Sequence, residues 1–208
     1  MKYPLIIFDF DGTLADSFQW FAGAINQLAD RYKFKRVAPG EHELLRGCDA
    51  QTILKYLQVP FWKTPRIAAH MRTLMNRDIQ QISPVAGVGQ ALQRLAQQRA
   101  QLGMISSNSD KNIQQILGAE NTRLFTYREY GVSIFGKAAQ LRKILRKSRI
   151  PPATAIYIGD EIRDLEAARA VGMRFGAVAW GYTHLEALKA RAPDEIFLRA
   201  EELAERLI

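Results

Sequence analysis

The chain has 208 residues, a length that suits one domain or one domain with a small insert. Hydrophobic residues make up 48% and charged residues 24%, a composition that excludes a disordered or fibrous chain. The formal charge of +8 raises the question of an acidic partner, such as nucleic acid, an anionic membrane or a phosphorylated metabolite. The single cysteine, Cys48, excludes an intrachain disulfide and a multi-cysteine zinc site.

The sequence also indicates where the protein works. No apolar run approaches the roughly 18 residues of a membrane-spanning helix. The apolar stretch Leu5–Phe8 is interrupted at once by Asp9 and Asp11, so we expect no secretory signal peptide. A reducing cytoplasm is therefore the expected location, without a membrane partner, and a monomer is the simplest expected state.

The first predicted element is a strand at 4–8, which is apolar on both of its faces, as in a parallel strand covered by helices. From residue 15 to residue 82 the apolar residues recur at helical spacing instead. This stretch contains predicted helices at about 18–29, 41–45, 50–57 and 65–82, and no predicted strand. We therefore predict a helical insert, the cap, over residues 15–82.

After residue 83 the chain alternates helix and strand. The pattern predicts strands at 102–106, 124–130, 155–158, 175–179 and 195–198, and helices at 87–99, 110–117, 136–149, 162–171, 184–189 and 200–207. This alternation predicts an α/β fold, with a Rossmann-like parallel sheet, helices on both faces and an inserted all-helical cap domain. The predicted core comprises residues 1–14 and 83–208.

Polar side chains follow three of the predicted strands. Asp9 and Asp11 come after the first strand, Ser107 and Asn108 after the strand at 102–106, and Asp160 after the strand at 155–158. Ligands of open parallel sheets bind beyond the carboxyl ends of the strands, so we expect these groups to lie together. Three carboxylates in one place repel each other unless a cation neutralises them. Oxygen ligands without histidine or cysteine favour Mg²⁺.

A carboxylate cluster with Mg²⁺ suits a negatively charged substrate. Lys137, at the start of the helix at 136–149, is a candidate counter-charge. Ser107, rather than its neighbour Ser106, is the candidate hydroxyl, because it stands next to Asn108 where the strand turns. The backbone N–H groups at the start of the following helix are a natural phosphate site. Together these groups indicate phosphoryl transfer.

These motifs resemble the haloacid dehalogenase-like (HAD) hydrolase superfamily. The sequence DFDGTL at 9–14 is similar to the first family motif, and Ser107 at the end of an apolar strand to the second. Phe135-Gly136-Lys137 resembles the third motif, and GDEIRD at 159–164 the acidic fourth. The four motifs occur in the order that the family shows, and the resemblance extends over essentially the whole chain. The insert between the first two motifs resembles the cap of the phosphoglycolate-phosphatase-like branch.

The resemblance implies a fold, an enzyme and a mechanism. Asp9 would attack phosphorus to form an aspartyl-phosphate, and Asp11 would be the general acid and then the base that activates water. Mg²⁺ would be held by the Asp9 carboxylate, the Asp11 backbone carbonyl and Asp160. The presence of the second aspartate favours phosphate chemistry over halide chemistry. We therefore expect a phosphatase that acts on a small phosphorylated metabolite.

The same resemblance assigns further roles. Ser107, Asn108 and Lys137 would bind the phosphoryl oxygens, and Asp164 would orient a metal-bound water or Lys137. Arg46-Gly47 joins two predicted cap helices, where related caps reach towards the substrate. Arg46 is therefore a candidate contact for a distal anion of the substrate.

Other functions remain open from the sequence. A phosphomutase on a sugar phosphate would use the same chemistry, with a sugar hydroxyl in place of water as the acceptor. A non-catalytic protein that binds phosphate through strand-end acids would need neither Asp11 nor a cap. The basic face at 142–149 raises nucleic acid as a partner, but no aromatic residues interleave it for base stacking, so we expect no nucleic-acid binding.

Overall fold

The computed structural model describes residues 2–133 and 136–208. In chain order the strands of this part are β1 (Leu5–Phe8), β2 (Ala15–Asp16), β3 (Ser83–Pro84), β4 (Gln101–Ile105), β5 (Phe125–Glu129), β6 (Ala155–Gly159), β7 (Arg174–Val178) and β8 (Glu195–Phe197). The helices are α1 (Phe18–Tyr32), α2 (Glu41–Leu45), α3 (Ala50–Tyr56), α4 (Thr64–Arg77), α5 (Val88–Gln97), α6 (Asp110–Leu117), α7 (Ala119–Arg123), α8 (Lys137–Ser148), α9 (Ile162–Arg169), α10 (Leu185–Lys189) and α11 (Glu201–Leu207).

Six of these strands form one parallel sheet, in the order β5-β4-β1-β6-β7-β8. The chain runs from β1 outward to β4 and β5, and then returns to the other side of β1 for β6. The strand order therefore reverses at β1, which is the place where parallel sheets bind ligands. The predicted α/β fold is confirmed.

Both faces of this sheet are covered, which explains the continuous apolar character of its central strand. Every side chain of β1 is buried. Ile6 and Phe8 pack into the cluster that includes α5, α6 and α11, whereas Leu5 and Ile7 pack into the cluster that includes α8 and α9. Burial on both faces holds β1 in place, and so fixes the position of whatever side chains follow it.

Between β2 and β3 the described chain is entirely helical or irregular. Helices α1 to α4 occupy this stretch, with short 3-10 turns at Phe61–Lys63 and Ile79–Gln81. We call residues 15–82 the cap segment. β2 and β3 pair as an antiparallel ribbon where this segment leaves and rejoins the core. The division into two domains at these residues stays a prediction.

The structure differs from the predicted elements in three places. Ala15–Asp16 forms a short strand where none was predicted, because it pairs with Ser83–Pro84 at the far end of the cap segment. The helix predicted over 65–82 ends at Arg77, and Asp78 precedes a separate 3-10 turn. The short helix α7 has no counterpart in the prediction. None of the helices in the described ranges is long and apolar enough to cross a membrane.

Candidate active site

The three neighbouring strands β4, β1 and β6 bring the predicted polar residues to one edge of the sheet. Phe8, at the end of β1, lies beside Met104 of β4 on one side and Ile158 of β6 on the other. Asp9 follows β1 directly, and Ser106 and Asp160 follow β4 and β6 one residue further along the same edge. The backbone N–H of Asp9 donates to the carbonyl of Ile158 at 2.9 Å, which continues the sheet pairing up to the first acidic residue.

Lys137 forms the centre of a buried charge cluster. Its Nζ donates to Oδ2 of Asp9 at 2.7 Å and also to Oδ1 of Asp164. All three side chains are buried. Burial raises the pKa of Asp9 to about 7, while attraction to Lys137 opposes that rise. The ammonium group is therefore the main local charge that favours an ionised Asp9 carboxylate.

Asp11 faces a different set of partners. Nδ2 of Asn108 donates to both of its carboxylate oxygens, at 3.1 and 3.2 Å, and the Ser17 hydroxyl donates at 3.3 Å. Burial raises the pKa of Asp11 to about 6, and these hydrogen bonds limit the rise. The amide of Asn108 is held in this orientation because its Oδ1 accepts from the N–H of Ser109 and from Asn112.

Asp160 is enclosed by backbone. Its Oδ1 accepts from the Thr13 hydroxyl at 2.7 Å, and its Oδ2 accepts from the N–H of Tyr182 at 2.8 Å. A Cβ on Gly181 would lie 2.0 Å from Cβ of Asp160, and a Cβ on Gly12 would lie 2.2 Å from its Oδ2. Both positions therefore require glycine, and Gly12 also has a left-handed φ of +76°. Burial raises the pKa of Asp160 well above its usual range.

Carboxylate oxygens of Asp9, Asp160 and Asp164 lie within 4.8 Å of one another. This buried cluster of oxygen donors, without histidine or cysteine, could bind a metal ion of the Mg²⁺ type. The Asp11 carboxylate points instead towards Asn108 and Ser17. Asp164 also contacts Lys137 and the hydroxyl of Tyr157, and it caps α9 through the N–H of Glu161.

The two serines after β4 have different environments. Ser106 is buried, and its hydroxyl accepts from the N–H of Asn108 at 2.9 Å, so it shapes the turn. Ser107 lines the cavity that opens onto Asp11, and its carbonyl accepts from Arg72 at 3.1 Å. Ser107 is therefore the serine that lines the path to the acids, and its phosphate contact stays a prediction.

Arg46 lies at the border between the cap segment and the core. Its Nε and Nη2 donate to the carbonyls of Tyr182 and Gly181, both at 3.0 Å, and its Nη1 donates to Glu43 at 3.3 Å. The N–H of His184 donates to the Arg46 carbonyl at 2.9 Å. Arg46 thus connects the cap segment to the loop 181–184 by three hydrogen bonds. Its predicted contact with the substrate stays a prediction.

Known proteins share this architecture along the whole chain. A family model described as haloacid dehalogenase-like hydrolase matches residues 6–178. The chain belongs to the haloacid dehalogenase-like hydrolase family. A relative in Synechococcus elongatus, named phosphoglycolate phosphatase, is 32% identical over 190 residues, which cover 91% of this chain and 90% of the relative. A second relative of that name, in Aquifex aeolicus, is 22% identical over 203 residues, which cover 96% of this chain and 94% of the relative.

A solved structure supports the fold of this HAD-like hydrolase. A Lactobacillus plantarum protein, provisionally named phosphoglycolate phosphatase, superposes with a TM-score of 0.82 over 99% of each chain, at 20% identity. The predicted resemblance to the HAD family and its phosphoglycolate-phosphatase-like branch is confirmed. The prediction that the chain is an enzyme of this class, a phosphatase, is confirmed with it. Of the third motif, Phe135 lies outside the described residues.

Several residues of the candidate site make contacts that the sequence does not predict. Thr13 and the Tyr182 N–H hold Asp160, and Ser17 contacts both Asp11 and the Tyr182 hydroxyl, at 2.9 Å in the latter case. Gly181 and Tyr182 follow the strand β7, two positions along the sheet from β1. The dipeptide Gly181-Tyr182 after an apolar strand was the available signal, but only the close approach to Asp160 gives it a function.

Proposed function

We propose that the chain is a Mg²⁺-dependent phosphomonoesterase that hydrolyses a small phosphorylated metabolite through an aspartyl-phosphate on Asp9. The observation that carries this proposal is a pair of aspartates in unlike settings: the buried Asp9 contacts an ammonium group, and the half-buried Asp11 contacts an amide and a hydroxyl. The Lys137 ammonium favours the ionised form of Asp9 that attacks, although burial raises the pKa of this group to about 7. The pKa of Asp11, raised to about 6 by burial, suits a group that both gives and accepts a proton.

The donor set favours a metal ion at this site. Asp9, Asp160 and Asp164 supply buried carboxylate oxygens, and the desolvated acids gain most from a nearby cation. When bound, Mg²⁺ would lower the repulsion between Asp9 and the incoming phosphate and stabilise the charge of the transition state. Family resemblance assigns the Asp11 backbone carbonyl to the same ion.

In the first step, a carboxylate oxygen of Asp9 attacks phosphorus, and the bond from phosphorus to the leaving oxygen breaks. Asp11 gives its proton to that oxygen, so the product leaves as an alcohol. In the second step, Asp11 removes a proton from water, and the hydroxide attacks phosphorus. The bond from phosphorus to Asp9 then breaks, which releases phosphate and restores the carboxylate.

Two features suit the side chains to these steps. The Asp11 pKa of about 6 lies close to neutral pH, where a group can both give and accept a proton. Lys137 stabilises the Asp9 carboxylate before attack and stays beside the phosphoryl oxygens afterwards. Ser107 and the Asn108 backbone would donate to those oxygens.

The test is phosphate release from p-nitrophenyl phosphate and a panel of phosphorylated metabolites, with Mg²⁺ and with a chelator. We expect release with Mg²⁺ only, and loss of it in Asp9→Asn. Asp30→Asn is the matched control, because Asp30 is exposed and pairs with the exposed Arg36. Mass spectrometry of acid-quenched enzyme should detect a phosphorylated peptide that contains Asp9.

Two results would overturn this proposal. Activity retained in Asp9→Asn would exclude the nucleophile. Conversion of a hexose phosphate to its isomer without net phosphate release would identify a phosphomutase instead, since water would then not be the acceptor.

A further inference from the structure

A cavity joins the cap segment to the candidate active site. It has a volume of about 260 Å³, close to the lower end of the roughly 300–1,000 Å³ of typical ligand pockets. At its core end it is lined by Asp11, Ser107 and Asn108. A substrate with its phosphate at these residues would therefore place its leaving group in the part of the cavity enclosed by the cap segment.

The walls of that part are apolar. Helices α1, α3 and α4 supply the side chains that line it, among them Phe21, Ile25, Ile53, Leu54, Ile67 and Met71. No residue of α2 or α3 is fully buried. Leu45 and Ile53 of these helices pack partly against the main hydrophobic cluster, and they also line the cavity. Apolar volume without packing partners destabilises a fold, so an apolar group that fills it binds favourably.

The charged side chains that line the cavity lie at its core end or form hydrogen bonds and ion pairs with neighbouring residues. All three guanidinium nitrogens of Arg46 donate to Glu43, Gly181 or Tyr182. Arg72 donates to the carbonyl of Ser107, beside the acids. Arg163 pairs with Glu161, also at the core end. His42, Cys48 and Tyr182 also line the cavity.

We infer that the preferred substrate is a phosphomonoester whose leaving group is an uncharged apolar chain or ring, large enough to fill the cavity of the cap segment. This inference rests on the proposed phosphatase function. A short leaving group that ends in a carboxylate would fill little of the space, and it would place a charge against apolar walls, which is unfavourable without a partner.

The test is the value of kcat/KM for straight-chain alkyl phosphates from ethyl to octyl, with 2-phosphoglycolate as the charged comparator. Burial of one methylene group corresponds to roughly a two- to fourfold gain. We expect kcat/KM to rise by about this factor per methylene until the cavity is full, and hexyl phosphate to exceed both ethyl phosphate and 2-phosphoglycolate by more than about tenfold.

A matched pair of variants tests whether the dependence on chain length arises in the cavity. Ala68 lines the cavity, whereas Ala69, the next residue of α4, is exposed. Ala68→Leu should lower the ratio of hexyl to ethyl phosphate hydrolysis by at least about fivefold, because the added side chain occupies the space. Ala69→Leu should leave the ratio unchanged. An equal ratio in the two variants would contradict the inference.

A binding measurement separates this inference from the proposed function. Asp9→Asn is titrated calorimetrically with hexylphosphonate and with methylphosphonate. We expect the longer ligand to bind more than about tenfold more tightly, with a more negative heat-capacity change. If no ester is hydrolysed but this preference is found, the function fails and the cavity inference stands. If esters are hydrolysed without dependence on chain length, or 2-phosphoglycolate is preferred, the inference fails and the function stands.

Discussion

The carboxyl edge of the sheet and the cap segment are built in opposite ways. At the sheet edge, Asp9, Asp160 and Lys137 are buried and form hydrogen bonds with residues from separate elements. In the cap segment, α2 and α3 have no fully buried residue, and Leu44, Phe61 and Trp62 are largely exposed. A rigid polar edge suits chemistry that needs fixed positions. A loosely packed apolar enclosure suits selection of the leaving group.

The largest expected effect comes from the charge at the rigid edge. Lys137→Met removes the counter-charge of Asp9 and Asp164, so the pKa of Asp9 rises and its carboxylate becomes protonated near neutral pH. We expect kcat for p-nitrophenyl phosphate to fall by about 10²–10³-fold, as for loss of one oxyanion donor.

Lys143→Met is the matched control for Lys137→Met, because Lys143 lies on the same helix and pairs with Glu129 at the surface. It should keep its kcat. A folded Lys137→Met enzyme, checked by circular dichroism, with normal kcat would remove Lys137 from the site.

A substitution at Gly181, beside the carboxyl edge of the sheet, tests how closely the chain surrounds Asp160. Gly181→Ala would place its Cβ against Asp160, so the acid or the loop must move. We expect Mg²⁺ to bind about 10–100-fold more weakly in a calorimetric titration, as when partners of metal ligands are disturbed.

Gly23→Ala is the cap-segment counterpart of that change. Gly23 lies in α1, and a Cβ there would have open space around it. The substitution should raise the free energy of unfolding by about 0.5–1 kcal/mol and leave Mg²⁺ affinity unchanged. Equal Mg²⁺ affinity in the two variants would show that the enclosure around Asp160 has no role in metal binding.

Arg46 joins the two regions, so its removal should have an intermediate effect. Arg46→Ala deletes the bonds to the carbonyls of Gly181 and Tyr182 while it keeps the backbone bond from His184. At about 1 kcal/mol for each of these two hydrogen bonds, we expect kcat/KM to fall by up to about thirtyfold for all substrates alike. Arg36→Ala, at an exposed pair in the cap segment, is the control. A loss confined to substrates with a distal anion would instead support direct substrate contact by Arg46.

The smallest expected effect is the pH dependence of the stability that Mg²⁺ adds to the folded protein. The Asp9 pKa rises from 3.8 to about 7 on folding, so between these values the folded protein holds a proton that the unfolded chain has released. Without metal, this group therefore lowers stability as pH rises through that window. Mg²⁺ needs the carboxylate, so it should stabilise more at pH 7.5 than at pH 5.5.

Differential scanning calorimetry checks this expectation. At a Mg²⁺ concentration of about 100 times Kd, the shift at pH 7.5 should be about 5–10 °C. Asp160→Asn is the control and should lose the shift at both pH values. An equal shift in the wild type at pH 5.5 and pH 7.5 would contradict the raised Asp9 pKa.

The sequence by itself determined the elements and the residues at their ends. The unbroken apolar run before Asp9 predicts a strand that is buried on both faces, and helices between strands predict a parallel sheet. In such a sheet, Asp9, Asn108 and Asp160 must end at the same edge, because all strands run in one direction. Local patterns are sufficient here, since each depends on residues that are near in the chain.

Contacts between residues far apart in sequence were decided only by the tertiary structure. The order β4-β1-β6 depends on long-range pairing, and the ribbon of β2 with β3 joins residues separated by the whole cap segment. The need for glycine at position 181 arises from Asp160, and the bond between Asn108 and Asp11 joins two different strand ends. The apolar cavity is likewise a space between helices, which no residue specifies until the helices pack around it.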